Sequence, residues 1–192
     1  MTIRRSAAAV VALACIVVVA AMPTPAAGHE TVLVVGRSAA GQLKISVDLH
    51  HAVGLPESAF PGIPGYAAAS PEFHSVGSDD AANDFFRLAP TSNTQFVVTA
   101  ADPGIGIYTI TGMLPLNTPV FLGPPDFDNH PIWHVPAGPI GANYNLTLKL
   151  QDTTGTYTDS APLVIPFTTV PEPGAIAMLA LCALALRRAR RR

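Results

Sequence analysis

Histidines set among carboxylates are the side chains of this 192-residue sequence whose types and grouping point most directly to chemistry. His29, His50, His51, His74, His130 and His134 all fall between two apolar ends. Imidazole suits Zn, Cu and Ni, and carboxylates can complete the shell. The densest patch is DFDNHPIWH, with Asp126, Asp128, His130 and His134. On an extended strand His130 and His134 share a face but lie ~13 Å apart at ~3.3 Å per residue. Two ligands of one ion each sit about 2.0–2.1 Å from it. The pair can therefore share a metal only across a turn, which Pro131 and Pro136 permit. A better set draws one histidine from each of several segments. The candidate ligands are His29, His50, His51, His130, His134 and Asp128, with Zn or Cu as the ion. The plain alternative is solvated or locally hydrogen-bonded histidines on an acidic surface.

Other chemistries find less support. No G-x-S-x-G elbow, HExxH helix or glycine-rich phosphate loop occurs. The pairs Asp79/Asp80 and Asp126/Asp128 sit among Pro and Gly, where acids are usually turn residues. The expectation is that the protein is not an enzyme. Residues 29–169 hold four basic side chains (Arg37, Lys44, Arg87, Lys149) against twelve acidic ones, hence a charge of −8. Nucleic-acid binding, which needs Lys and Arg to neutralise phosphates, is excluded as an expectation; cations and solubility are favoured. Both cysteines, Cys15 and Cys182, lie in the terminal apolar segments, so the middle has no disulfide or thiolate site. Trp133 reads as sheet packing or, with nearby acids, as the platform of a carbohydrate-binding module.

The elements that must carry these residues are strands. QLKISVDLH alternates, with Leu43, Ile45, Val47 and Leu49 on one face and His50 on the other. NYNLTLKLQD repeats the pattern with Tyr144, Leu146, Leu148 and Leu150. TVLVV (31–35) reads as a central strand, and TQFVVTA (94–100), GIGIYTIT (104–111) and PLVIPFTT (162–169) complete the set. Pro166 places the last at an edge or bulge. Asp152-Thr153-Thr154-Gly155 predicts a turn. Residues 52–92 have no clear period and read as irregular, apart from a short helix over 79–88 capped by Ser78. The predicted fold is mainly β: a single antiparallel β-sandwich of about seven strands.

The ends read as addresses. Arg4 and Arg5, the apolar run Ser6–Met22, and small Ala26 and Gly28 predict a signal peptide over 1–28, a signal helix cleaved before His29 or after Ala26. At the other end Gly174–Leu186 is thirteen uncharged residues, about 20 Å as a helix against a bilayer core of ~30 Å. Pro171 and Pro173 precede it. Arg187, Arg188, Arg190, Arg191 and Arg192 follow and would hold the C-terminus on the cytoplasmic side as a membrane stop. A short transmembrane helix is expected there.

Val170-Pro171-Glu172-Pro173, the short apolar run and the terminal arginines closely resemble the PEP-CTERM sorting signal of Gram-negative bacteria, also called the ice-binding protein C-terminal domain, a label that describes the tail alone. The resemblance covers residues 170–192. It implies an exosortase as partner, with Pro171, Glu172 and Pro173 recognised, membrane insertion through the tail, and delivery to the cell envelope or extracellular matrix, often beside exopolysaccharide. The stretch HPIWHVPAGPIGANYNLTLKLQDTTGTYTDS, with the strand and tail after it, is more faintly similar to exported PEP-CTERM proteins under zinc-responsive regulation; Ile132 stands where those carry a further histidine. The expected organisation is a signal peptide (1–28), an exported domain (29–169) and a sorting segment (170–192). The expected function is a non-enzymatic envelope or matrix protein, with Zn/Cu binding and carbohydrate binding as alternatives.

Overall fold

The alternation in NYNLTLKLQD becomes a ten-residue strand, β12 (Asn143–Asp152), with Leu146, Leu148 and Leu150 completely buried and Asn145 and Thr147 turned outward. It lies between β6 (Thr94–Ala101) and β13 (Leu163–Thr169), antiparallel to both, with a register shift at Thr147/Leu148. The structure, a computed structural model, describes residues 31–171. Glu30–Val170 is one compact unit. The expected signal helix and tail helix, and His29, lie outside the described residues. Among the described residues no helix is long and apolar enough to cross a membrane.

Among the described residues thirteen strands form three sheets. The first joins β1 (Val32–Arg37), β2 (Leu43–Ser46), β5 (Glu72–Ser75) and β10 (Asp128–Asn129) in the order β10-β5-β1-β2. The second joins β4 (Tyr66–Ala68), β7 (Gly106–Thr109), β8 (Gly112–Met113) and β11 (Ile132–Val135) as β4-β11-β7-β8. The third adds β3 (Val53–Leu55) and β9 (Pro119–Gly123) to the strands around β12, as β3-β13-β12-β6-β9. The mainly β expectation holds. The strands are more numerous than the seven expected, and two pairs, β1–β5 and β3–β13, are parallel. TVLVV is a central strand, flanked by β5 and β2. Pro166 falls where β13 has an open side, since β3 pairs with it only from Phe167 onward.

The segment read as irregular holds three of these strands, β3, β4 and β5. The helix expected over 79–88 is a single 3₁₀ turn, Ala81–Asn83. Its cap is Asp80, not Ser78: the carboxylate accepts from the Asn83 backbone N–H, and the chain leaves through Asp84 at φ 50°. Asp79 accepts from the Arg87 N–H. Both acids thus close a local loop in place of starting a helix. Gly36 lets this loop return onto β1, because a Cβ there would stand 2.9 Å from the Phe85 ring and the Phe86 carbonyl.

One aromatic cluster joins the three sheets. Phe73 of the first stacks on Phe96 of the third at 4.6 Å between centroids, and Trp133 of the second lies 5.5 Å from Phe167 of the third. All four are fully buried. The Trp133 indole N–H donates to the Pro71 carbonyl at 2.8 Å, fixing the entry to β5. The predicted turn at Asp152 is present, and its carboxylate accepts from the N–H groups of Asn93, Thr154, Thr156 and Tyr157.

Two outcomes follow. Trp133→Ala should cost about 3–5 kcal/mol in urea unfolding, whereas exposed Val164→Ala should change it by less than about 0.5 kcal/mol. At Asp152, burial pushes the pKa up but the hydrogen bonds from Asn93, Thr154 and Tyr157 outweigh it, leaving it below the usual carboxylate range. A depressed folded pKa stabilises the fold above the unfolded value, and that contribution fades as pH falls through the folded one. Asp152→Asn should therefore lower the melting temperature near neutrality, and the gap to the parent protein should narrow progressively below about pH 4.

Candidate metal centre

Period two places the candidate ligands. In β5, Phe73 points into the core, so Glu72 and His74 on either side of it share the opposite face. Antiparallel β10 sets Asp128 opposite His74 and Asn129 opposite Phe73, and the next residue, His130, continues the ladder toward Glu72. Two acid-x-His triplets, Glu72-Phe73-His74 and Asp128-Asn129-His130, thus face each other head to tail. Each carboxylate meets both imidazoles across the pair. The arm that carries Asp128 is tied to β5 twice: the Asp126 N–H donates to Ser75 Oγ at 2.8 Å, and the Ser75 N–H to the Phe127 carbonyl at 3.2 Å.

The donor atoms are close. Glu72 Oε1 is 2.9 Å from His74 Nε2, and Glu72 Oε2 is 2.9 Å from His130 Nδ1. Asp128 Oδ1 is 2.8 Å from His130 Nε2 and 3.2 Å from His74 Nε2. Glu72, Asp128 and His130 each offer a ligand atom within 4.8 Å of the other two. Glu72 is 6% exposed and forms the floor, while the other three side chains reach solvent. His74 Nε2 is buried and has no hydrogen-bond partner, although two carboxylate oxygens stand beside it.

Donors around a tetrahedral ion with bonds of about 2.0–2.1 Å lie about 3.3 Å apart. The four histidine–carboxylate distances, 2.8–3.2 Å, are near that value; Glu72, Asp128 and His130 form the group whose donors converge, and His74 stands beside it as a fourth candidate. Two carboxylates match the charge of a divalent ion, and such an ion would be the partner that the buried Glu72 carboxylate needs. Two imidazoles select Zn, Cu or Ni over Ca or Mg.

Of the ligands expected from sequence, Asp128 and His130 are brought together. His134 is not: it lies on β11 in another sheet, 2% exposed, with Nε2 on the Pro64 carbonyl. His130 and His134 do not share a strand, since Pro131 separates β10 from β11. His50 is exposed and meets only Asp48, at 3.2 Å, and exposed His51 belongs to no cluster among the described residues. Of the sorting motif, Val170 closes the edge of the third sheet by donating to the Leu55 carbonyl. Glu172, Pro173 and the arginines from Arg187 to Arg192 lie outside the described residues. Glu72 and His74 escaped the sequence reading because they sit in the segment taken as irregular. The repeated acid-x-His triplet was the signal that could have found them. Trp133, a candidate sugar platform, is wholly interior and offers no face.

Comparison of the chain with protein-family models, curated proteins and solved structures found no match.

Calorimetric titration should give one Zn²⁺ per chain in the parent protein. Glu72→Gln, Asp128→Asn, His74→Ala and His130→Ala should each weaken binding at least about 10–100-fold, the range for even the outer shell of a metal site. His50→Ala should leave it unchanged.

Proposed function

We propose that this is an exported, non-enzymatic protein of the Gram-negative cell envelope or extracellular matrix that binds one Zn- or Cu-class ion on its surface. The observation that carries the binding half is the convergence of Glu72, Asp128 and His130, with His74 beside them, histidine nitrogens 2.8–3.2 Å from carboxylate oxygens, and a buried His74 nitrogen that no hydrogen bond uses. Such a site suits capture or storage. Its rim is open, so the ion can exchange, and the acidic body draws cations toward it.

Delivery is supported by the two ends of the sequence. A signal peptide would start export. The tail from Val170 to Arg192 would then present its Pro-Glu-Pro to an exosortase and insert briefly or lastingly in the membrane. We read the exported body as sheets packed in the manner of a β-sandwich. Exopolysaccharide stands as a neighbour in the matrix; Trp133, the sugar platform the sequence suggests, is in the core and does not support it as a ligand.

Fractionation of cells with and without an exosortase tests both halves. The mature protein should appear in the envelope or medium, starting at His29, with one Zn or Cu per chain. A Glu72→Gln/His130→Ala variant should be exported equally but carry little metal. Retention in the cytoplasm with Met1 intact would overturn the delivery reading. Parent protein that is exported yet metal-free, and that shows no thermal shift on adding Zn²⁺ or Cu²⁺, would overturn the binding reading.

A further inference from the structure

His134 is a buried histidine that the surface site does not use. Its Nε2 lies 2.6 Å from the Pro64 carbonyl oxygen. A carbonyl can only accept, so Nε2 carries the proton and donates. Nδ1 is left with its lone pair. That lone pair faces the thioether of Met113, with Nδ1 and Sδ 3.3 Å apart. Two Lewis bases thus point at one another, and the opposite nitrogen is tied to a backbone oxygen. This is how proteins fix a metal-binding imidazole in its tautomer.

The approach is built by the sheet. β7 lies between β8, which carries Met113, and β11, which carries His134. The residue of β7 registered with His134 is Gly106, and a Cβ there would stand 2.7 Å from Met113 Cε. Met113 therefore crosses β7 over the one backbone position with no side chain. Tyr108 stands edge-on to the imidazole at 5.0 Å between ring centroids. Met113 keeps more than a third of its surface in solvent, which leaves a way in.

We propose that His134 Nδ1 and Met113 Sδ form a second site, for a soft monovalent cation of the Cu(I) or Ag(I) class. Bonds of about 2.0 Å to nitrogen and about 2.3 Å to sulfur span a 3.3 Å separation at an angle near ~100°. That bent arrangement leaves the solvent side open to a further donor such as water or halide. Charge sets the class of ion. Neither ligand is anionic and the ring is buried, so a divalent ion would enter uncompensated, whereas a singly charged one loses far less hydration. Thioether sulfur adds the preference for a soft acceptor. The inference is independent of the surface site, which has carboxylates, no sulfur, and lies on another sheet.

The test uses the full chain with Cys15→Ser and Cys182→Ser, so that thiols do not take the probe, labelled with ¹³C in its methionine methyls and ¹⁵N in its histidines. Ag⁺ serves as a redox-inert stand-in for Cu(I). One methyl resonance, assigned by its loss in Met113→Leu, and the His134 Nδ1 resonance should move together and saturate at one added ion. Met113→Leu should abolish the nitrogen response. Gly106→Ala, which pushes Met113 aside, should weaken binding about tenfold or more. Glu72→Gln should leave both responses intact. An unmoved Met113 methyl and His134 nitrogen at excess Ag⁺ would overturn the proposal. So would an equal response to Zn²⁺, or loss of the Ag⁺ response in Glu72→Gln.

Discussion

Burial of Trp133 at the meeting point of three sheets is the constraint on which the rest of the structure depends. None of the sheets can bury both its faces alone, and each sends an aromatic side chain to the same place: Phe73 from the first, Trp133 from the second, Phe96 and Phe167 from the third. With no disulfide in the body, this apolar contact is the principal tie between the sheets. It also carries a directional element. The indole N–H has a single buried acceptor, the Pro71 carbonyl, and the residue after Pro71 is Glu72. The same hydrogen bond that satisfies the core tryptophan therefore sets the position at which the carboxylate floor of the surface site begins.

From that point the pleat does the work. Phe73 must face inward to meet Phe96, so Glu72 and His74 must face the other way. The antiparallel neighbour then brings Asp128 and His130 to them by register alone. A one-residue slip of β10 would turn both ligands to the wrong side. Two backbone-anchored contacts at Ser75 hold against it, one through its hydroxyl and one through its N–H. The site is consequently as rigid as the strand pair beneath it, and only the outer ends of His74, His130 and Asp128 stay free to adjust around an ion.

Long alternating strands were legible in the sequence because each contains several periods of the pattern. Leu146, Leu148 and Leu150 announce one face of β12 without reference to any partner, and the alternation from Leu43 to Leu49 marks β2, although only Leu43–Ser46 of that run forms the strand. Strands of three or four residues carry about one period and cannot. β3, β4 and β5 are further obscured by Pro56, Pro64 and Pro71 close to their ends, and β5 finds its parallel partner β1 some forty residues away. The acid pair Asp79–Asp80 reads as a helix start by local rules, but the N–H groups of Asn83 and Arg87 claim those carboxylates for loop closure. For the site, half of the surface cluster was visible. The density of the DFDNHPIWH patch pointed to Asp128 and His130, which the structure does bring together. It pointed equally to His134, which the structure places apart, since Pro131 sends the chain into a different sheet between the two histidines.

That division by Pro131 has a chemical consequence. His130 remains among carboxylates at the solvent edge, while His134, four residues on, goes into an apolar interior against a thioether. Identical side chains thus acquire opposite surroundings: anionic oxygen donors in one case, a neutral sulfur and a backbone carbonyl in the other. Oxygen and negative charge favour a small, strongly hydrated divalent ion. A neutral nitrogen–sulfur pair favours an ion that surrenders its water easily. The contrast follows from which face of which sheet each residue occupies, and the faces are dictated by the tryptophan between them. Because Trp133 is registered inward on β11, its neighbour His134 cannot be on the same face; it is buried on the other face, between the Pro64 carbonyl and the Met113 side chain, which reaches it across β7 over Gly106.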